Sequence, residues 1–186
     1  PDANHTAAEW HRSHGTDGML ASLVTLAPDD LLDAVRVLAG TAGTGGIAGI
    51  HLEGPWLSPR YAGAHDPRLL REPDLAELER LLDAGAGHIR MVTIAPELPG
   101  AIPAIELLVA RGVVAAVGHT DATYEQTLQA ISSGATVATH LFNAMRPIHH
   151  REPGPIPALL ESPAVTIELI ADGVHIHPAI YRTVLA

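Results

Sequence analysis

Residues 47–59 read IAGIHLEGPWLSP, and the fold turns on how this stretch is read. A run of apolar residues carries His51 and Glu53 and then breaks at Gly54-Pro55, the pattern of a buried strand that delivers a carboxylate to the rim of a sheet. Side chains alternate across a strand, so His51 and Glu53 face the same side. A carboxylate there is costly to bury unless a cation meets it. A metal ion answers that need, and so does an Arg beside a rim Glu; both readings stay open on this stretch alone.

Working outward, a strand-then-helix unit repeats. Upstream, residues 7–14 read as the end of a helix stopped by Gly15, and residues 18–25 as a strand. Residues 29–39 follow as a helix, because Leu31, Leu32, Val35 and Leu38 recur at helical spacing before Gly40. Downstream, strands are expected at 88–95, 113–117, 136–141 and 165–171, with helices at 74–82, 103–110, 124–131, 156–160 and 178–185. Strands alternating with helices in this way argue for a parallel α/β architecture. Polar residues fall at the expected C-terminal ends of strands: Glu53, His119, His140 and Asp172. That is where a (β/α)8 barrel gathers its active site, and equally where a doubly wound sheet binds ligands. No GxGxxG fingerprint favours the doubly wound form. The chain reads as one domain over residues 1–186, without low-complexity segments or repeats beyond the βα unit.

Composition narrows the classes of function. With 186 residues and 47% apolar content the chain can bury a core. No apolar stretch approaches the ~20 uncharged residues of a spanning helix, and the first residues do not read as a signal peptide, so no membrane partner is expected. A net charge of −10 disfavours nucleic acid as a partner. The sequence has no cysteine, which removes disulfides and thiolate metal sites and fits a cytoplasmic location. Any metal chemistry falls to carboxylates and the 12 histidines. All 11 basic residues are Arg, so a Schiff-base lysine, a P-loop lysine and a carbamylated-lysine metal bridge are excluded within these residues.

The chemistry concentrates in a few segments. Gly118-His119-Thr120 closes one expected strand and Thr139-His140 the next, which offers two imidazoles at the same rim as Glu53. One carboxylate and two imidazoles match a catalytic zinc or similar divalent site, with a position left for water. A lone His at a strand end is more often a hydrogen-bonded packing residue; two converging on a Glu favour the metal. His65 lies on the loop after Glu53 and can reach over such a metal to a substrate carbonyl, or stand as a surface His. Residues 139–154, THLFNAMRPIHHREPG, gather Arg146, His149, His150 and Arg151 in an otherwise acidic chain. Such a cluster suits a phosphate or carboxylate, helped by free backbone N–H groups near Asn143 and Ala144, or else is a solvated charged loop. His175, in DGVH at 172–175, adds a group able to touch substrate.

The series HLEGPWLSP (51–59), GAHDP (63–67), GHTDATY (118–124), THLFNAM (139–145), HREPG (150–154) and DGVHIHP (172–178) resembles the N-acetylglucosamine-6-phosphate deacetylase family of the amidohydrolase superfamily. HLEGP together with THLFNAM carries most of the specificity. The resemblance implies a (β/α)8 TIM-type barrel, with about six βα units in this chain and without the family's small β-sandwich. It implies hydrolysis of the acetamide of N-acetylglucosamine 6-phosphate to glucosamine 6-phosphate and acetate. Glu53, His119 and His140 match the family's metal ligands, for zinc first and iron, manganese or cobalt as alternatives. His65 matches its residue near the acetyl group, Asn143 and Ala144 its amide contacts to the sugar phosphate, and Arg151 and His175 residues that complete that pocket.

Two departures accompany these matches. Family members carry a first strand with a His-x-His motif, which would lie before this chain, and a catalytic Asp one strand after DGVH, which would lie beyond Ala186. Asp172 does not match that Asp. The expectation is therefore a fragment of the barrel without its acid/base, whose two open sheet edges favour a homodimer. Other readings are an amidohydrolase acting on a cyclic amide or dipeptide, against which the Arg- and His-rich segment argues, and a sugar-phosphate binding module.

Overall fold

The structure, a computed structural model, describes residues 3–185. Pro1, Asp2 and Ala186, the outer limits of the expected domain, lie outside the described residues. In chain order the elements are α1 (Ala3–Ser13), β1 (Met19–Leu23), α2 (Pro28–Ala39), β2 (Ile47–Glu53), α3 (Leu75–Ala84), β3 (Ile89–Ile94), α4 (Ala101–Ala110), β4 (Val114–Val117), α5 (Tyr124–Ser132), β5 (Ala135–Ala138), α6 (Pro155–Glu161), β6 (Thr166–Ile167) and α7 (Pro178–Val184). A single 3-10 turn, Pro59–Tyr61, interrupts the loop after β2.

All strand pairs are parallel, in the order β1-β2-β3-β4-β5-β6. The sheet curls. Leu20 and Ser22 of β1 line one cavity with Glu168, Leu169 and Ile170, just past β6, whereas a flat sheet would hold its outer strands about 24 Å apart at ~4.8 Å per strand. This is an arc of a (β/α)8 barrel, with β1 and β6 as its open edges. Among the described residues no helix is long and apolar enough to cross a membrane.

Local sequence explains the elements. On β2, Ile50 and Leu52 are fully buried and join the core against the helices, while His51 and Glu53 face the cavity inside the arc. Helix α2 begins with Pro28 in its first turn, followed by Asp29 and Asp30, and buries Leu31, Val35 and Leu38 on one face. Asp74 caps α3 by accepting from the N–H groups of Ala76 and Glu77, and Thr123 with Gln126 forms a capping box on α5.

Three expected strands end two or more residues early. β1 covers Met19–Leu23 rather than 18–25. β5 stops at Ala138 rather than running to 141, because the backbone enters left-handed conformations at His140 (φ 31), Phe142 (φ 77) and Ala144 (φ 48), which no extended strand accommodates. β6 holds only Thr166–Ile167 rather than 165–171. Asp172 consequently does not end a strand: it is exposed and bonded to His175, and Glu168 takes the place at the rim.

A buried ion pair ties the end of the long loop between β2 and α3 to that helix. Arg71 donates to Glu77, with Nη2 2.5 Å from Oε1, and also to the carbonyls of Leu26 and Leu69. Glu77 is buried, so losing its partner strands a charge. Arg71→Ala is expected to destabilise the chain by about 3–5 kcal/mol in urea titrations. Arg71→Met combined with Glu77→Leu should recover most of that loss, and equal losses in both variants would contradict this account.

Candidate metal centre

Glu53 ends β2 and projects into the arc. The loops after β4 and β5 bring His119 and His140 against it, both from left-handed backbone conformations (φ 48 and φ 31). Glu53 Oε1 lies 3.0 Å from His119 Nε2 and 2.9 Å from His140 Nε2, and the two nitrogens are 3.1 Å apart. His65 approaches from the loop after β2, its Nε2 3.6 Å from Glu53 Oε2. Its ring stands edge-on to that of His119, with centroids 4.7 Å apart.

The hydrogen bonds on the far side of each ring decide what faces the centre. His119 Nδ1–H donates to the Tyr61 carbonyl at 2.9 Å, so in the neutral ring Nε2 turns a lone pair toward Glu53. His65 Nδ1 accepts the N–H of Thr25 at 3.2 Å, so its Nε2 carries the hydrogen and points a donor at the same centre. The carboxylate oxygen and the His119 lone pair are both acceptors, and acceptors at 3.0 Å repel unless a positive charge lies between them.

Burial pushes Glu53 up, but the imidazoles of His119, His140 and His65 around it outweigh that and hold the carboxyl far below the usual carboxylate range. Burial pushes His140 down, yet its hydrogen bond to Glu53 and that charge win and raise it, which favours a proton on His140 as one source of that positive charge. An ion bound by the same three atoms supplies it too. Glu53, His119 and His140 each offer one ligand atom, all within 4.8 Å of one another. One carboxylate and two imidazoles suit a divalent cation with an open position.

Beneath the centre a hydrogen-bonded chain runs across the arc. Ser22 Oγ lies 3.0 Å from His51 Nδ1, His51 Nε2 2.8 Å from Thr93 Oγ1, and Thr93 Oγ1 2.8 Å from Thr139 Oγ1. The cavity above has a volume of about 450 Å³ and is lined by His51, Glu53, Thr139, His140 and Glu168 among others. Burial raises Glu168 above the ordinary carboxylate value, and the facing charge of Glu53 adds to the effect.

The other expected site residues are not all gathered here. Asn143 does not offer a free backbone N–H: it donates to the His140 carbonyl at 3.0 Å, and its side-chain amide donates to the same carbonyl at 3.1 Å. The reason is the tight turn that follows His140. Among the described residues the N–H of Ala144 makes no backbone bond. Arg151 and His175 are exposed and do not line the cavity; Arg151 borders a smaller cleft near the start of α5, and His175 pairs with Asp172. The sequence reading missed Glu168, although a carboxylate inside the apolar run VTIELIA repeats the signal of IHLEG. It missed Thr25, Tyr61, Thr93 and Thr139 as well, because hydrogen-bond partners distant in sequence leave no local pattern.

A model of the amidohydrolase family matches residues 8–185. The chain is 38% identical over 183 residues to an N-acetylgalactosamine-6-phosphate deacetylase of Escherichia coli O157:H7, covering 96% of this chain and 48% of the relative. It is 42% identical over 184 residues to an N-acetylglucosamine-6-phosphate deacetylase of Danio rerio, covering 91% and 44%. The crystal structure of N-acetyl-D-glucosamine-6-phosphate deacetylase from Mycobacterium smegmatis superposes with a TM-score of 0.96 at 60% identity, over 98% of this chain and 48% of that one. A mutant of that enzyme in complex with N-acetyl-D-glucosamine-6-phosphate superposes with a TM-score of 0.96 at 59% identity, over 99% and 49%. The chain thus spans about half the length of the relatives it matches.

His51 gives the centre a measurable acid sensitivity. Burial lowers it from its ordinary 6.5 to about 4, although the Glu53 charge works in the opposite direction. Between those values the unfolded chain binds a proton that the folded chain does not, so stability is fully present above 6.5 and is lost as pH falls toward 4. The loss is on the order of 3 kcal/mol. Urea midpoints of the metal-free chain across this window should fall less steeply for His51→Gln than for the wild type; identical slopes would show that His51 is not buried in its neutral form.

Proposed function

This chain belongs to the amidohydrolase family, and from that membership we propose that it carries the metal and substrate residues of a deacetylase acting on N-acetylglucosamine 6-phosphate. The reaction is hydrolysis of the acetamide, giving glucosamine 6-phosphate and acetate. The observation that carries this reading is the convergence of Glu53 Oε1, His119 Nε2 and His140 Nε2 within 2.9–3.1 Å of one another, with the His65 donor beside them. The names of the relatives and the motif series supply the substrate class.

A divalent ion, zinc first, supplies Lewis acidity and lowers the pKa of a bound water to around 7. Glu53, His119 and His140 hold it. His65 donates through Nε2–H to the acetamide oxygen as that atom gains negative charge, a contact typically worth ~3 kcal/mol in the transition state. Thr25 fixes the tautomer that makes this donation possible. The N–H of Ala144 orients the sugar phosphate, so that binding remote from the acetyl group positions it.

The proposal extends to assembly and place. The assembly proposed is a homodimer. A sugar phosphate carries charge and does not cross a bilayer unaided, which puts the site of action in the cytoplasm.

Elemental analysis after zinc loading and dialysis tests the reading, with acetate release measured on the 6-phosphates of both N-acetylglucosamine and N-acetylgalactosamine. About one equivalent of metal is expected in the wild type and none in Glu53→Gln. Any metal-stimulated acetate release should fall by more than the 10–100-fold typical of losing an outer supporting residue. Undiminished metal content and acetate release in Glu53→Gln would overturn the proposal.

A further inference from the structure

The loop after β3 contributes one carboxylate that the proposed reaction does not use. Glu97 Oε2 accepts the hydroxyl of Thr120 at 2.5 Å, and Oε1 accepts the N–H of Asp121 at 2.7 Å. Both partners follow His119 directly. Thr120 is fully buried, and its hydroxyl oxygen also accepts the N–H of Ala122.

The residues that Glu97 grips are a junction. Thr120 N–H donates to the Ala144 carbonyl at 3.1 Å, and Arg146 N–H donates to the Thr120 carbonyl at 3.0 Å. Asp121 receives Arg146 Nε at 2.7 Å and Arg60 Nη1 at 2.9 Å. One residue back, the His119 carbonyl accepts the N–H of Ser58. The loops after β2, β3, β4 and β5 therefore meet at residues 119–121, and the β3 loop takes part through the Glu97 side chain. His119 holds a left-handed backbone (φ 48) that is uncommon for a residue with a Cβ.

We propose that Glu97 is a positioning residue of the centre: by clamping Thr120 and Asp121 it sets the pose of His119 and the path of residues 143–146. Its consequence for metal binding rests on the function proposed above, whereas its mechanical role does not. Outer groups that orient metal-binding residues typically change metal affinity by 10–100-fold when removed.

The test compares the chain with Glu97→Ala and Glu97→Gln. In the metal-free state, amide hydrogen exchange followed by NMR should accelerate at least about tenfold in Glu97→Ala at Asp121, Arg146 and Ser58, with no change at Ile50 in the centre of β2. The spread to Arg146 and Ser58, which do not touch Glu97, distinguishes positioning from loss of a single bond. In zinc competition titrations Glu97→Ala should bind about 10–100-fold more weakly. Glu97→Gln should stay within about threefold of the wild type, because its amide oxygen still accepts from Asp121 and the Thr120 hydroxyl can accept in turn. Acceleration confined to Asp121, or wild-type zinc affinity in Glu97→Ala, would overturn the proposal. A wild-type chain that binds no zinc would overturn the metal-centre reading instead, and the exchange data alone would then decide the role of Glu97.

Discussion

The structure depends on a charge placed where water cannot fully solvate it. Glu53 sits at the end of a strand whose other residues are almost all buried, and its oxygen meets a histidine lone pair directed at it by the Tyr61 carbonyl. Two acceptors held that close require a positive charge between them. A proton on His140 is one way to meet the need, and the same three atoms suit a divalent cation. The acid strength of Glu53 and the raised His140 are consequences of that one arrangement, whereas the low His51 follows from its own burial.

Holding such an arrangement together falls to the loops rather than the strands. β4 and β5 supply only starting points at the rim, and His119 and His140 lie two positions beyond them, in backbone conformations that β pairing does not stabilise. The loops compensate by binding each other. Ser58 and Tyr61 hold His119 from one side and Glu97 holds its successors from the other, while Arg60 and Arg146 both reach Asp121. Underneath, the Ser22–His51–Thr93–Thr139 chain crosses from β1 to the loop after β5 and satisfies polar groups that the arc buries.

Much of this was legible from the residues. The alternation in IAGIHLE identified β2 and the side on which Glu53 projects, and the repeated strand-helix unit identified a parallel sheet, because both follow from periodicity. The convergence of His119 and His140 on Glu53 followed from their places at successive strand ends. Periodicity does not report where a strand stops when the cause is a backbone turn, so β5 and β6 were read too long and Asp172 was taken for a rim residue in place of Glu168. The engaged N–H of Asn143 was hidden for the same reason, since the turn after His140 has no apolar pattern. Partners such as Tyr61 for His119 and Thr25 for His65 are separated by 58 and 40 residues, a distance that local chemistry cannot bridge.

X-ray absorption at the zinc edge, on the chain loaded with one equivalent of zinc, tests the central claim most directly. The account predicts a first shell of nitrogen and oxygen only, at about 2.0–2.2 Å, with the outer-shell scattering of two imidazoles, and loss of that signature in Glu53→Gln. An ion whose imidazole scattering survives Glu53→Gln but disappears when the exposed pair His149 and His150 is replaced would contradict it.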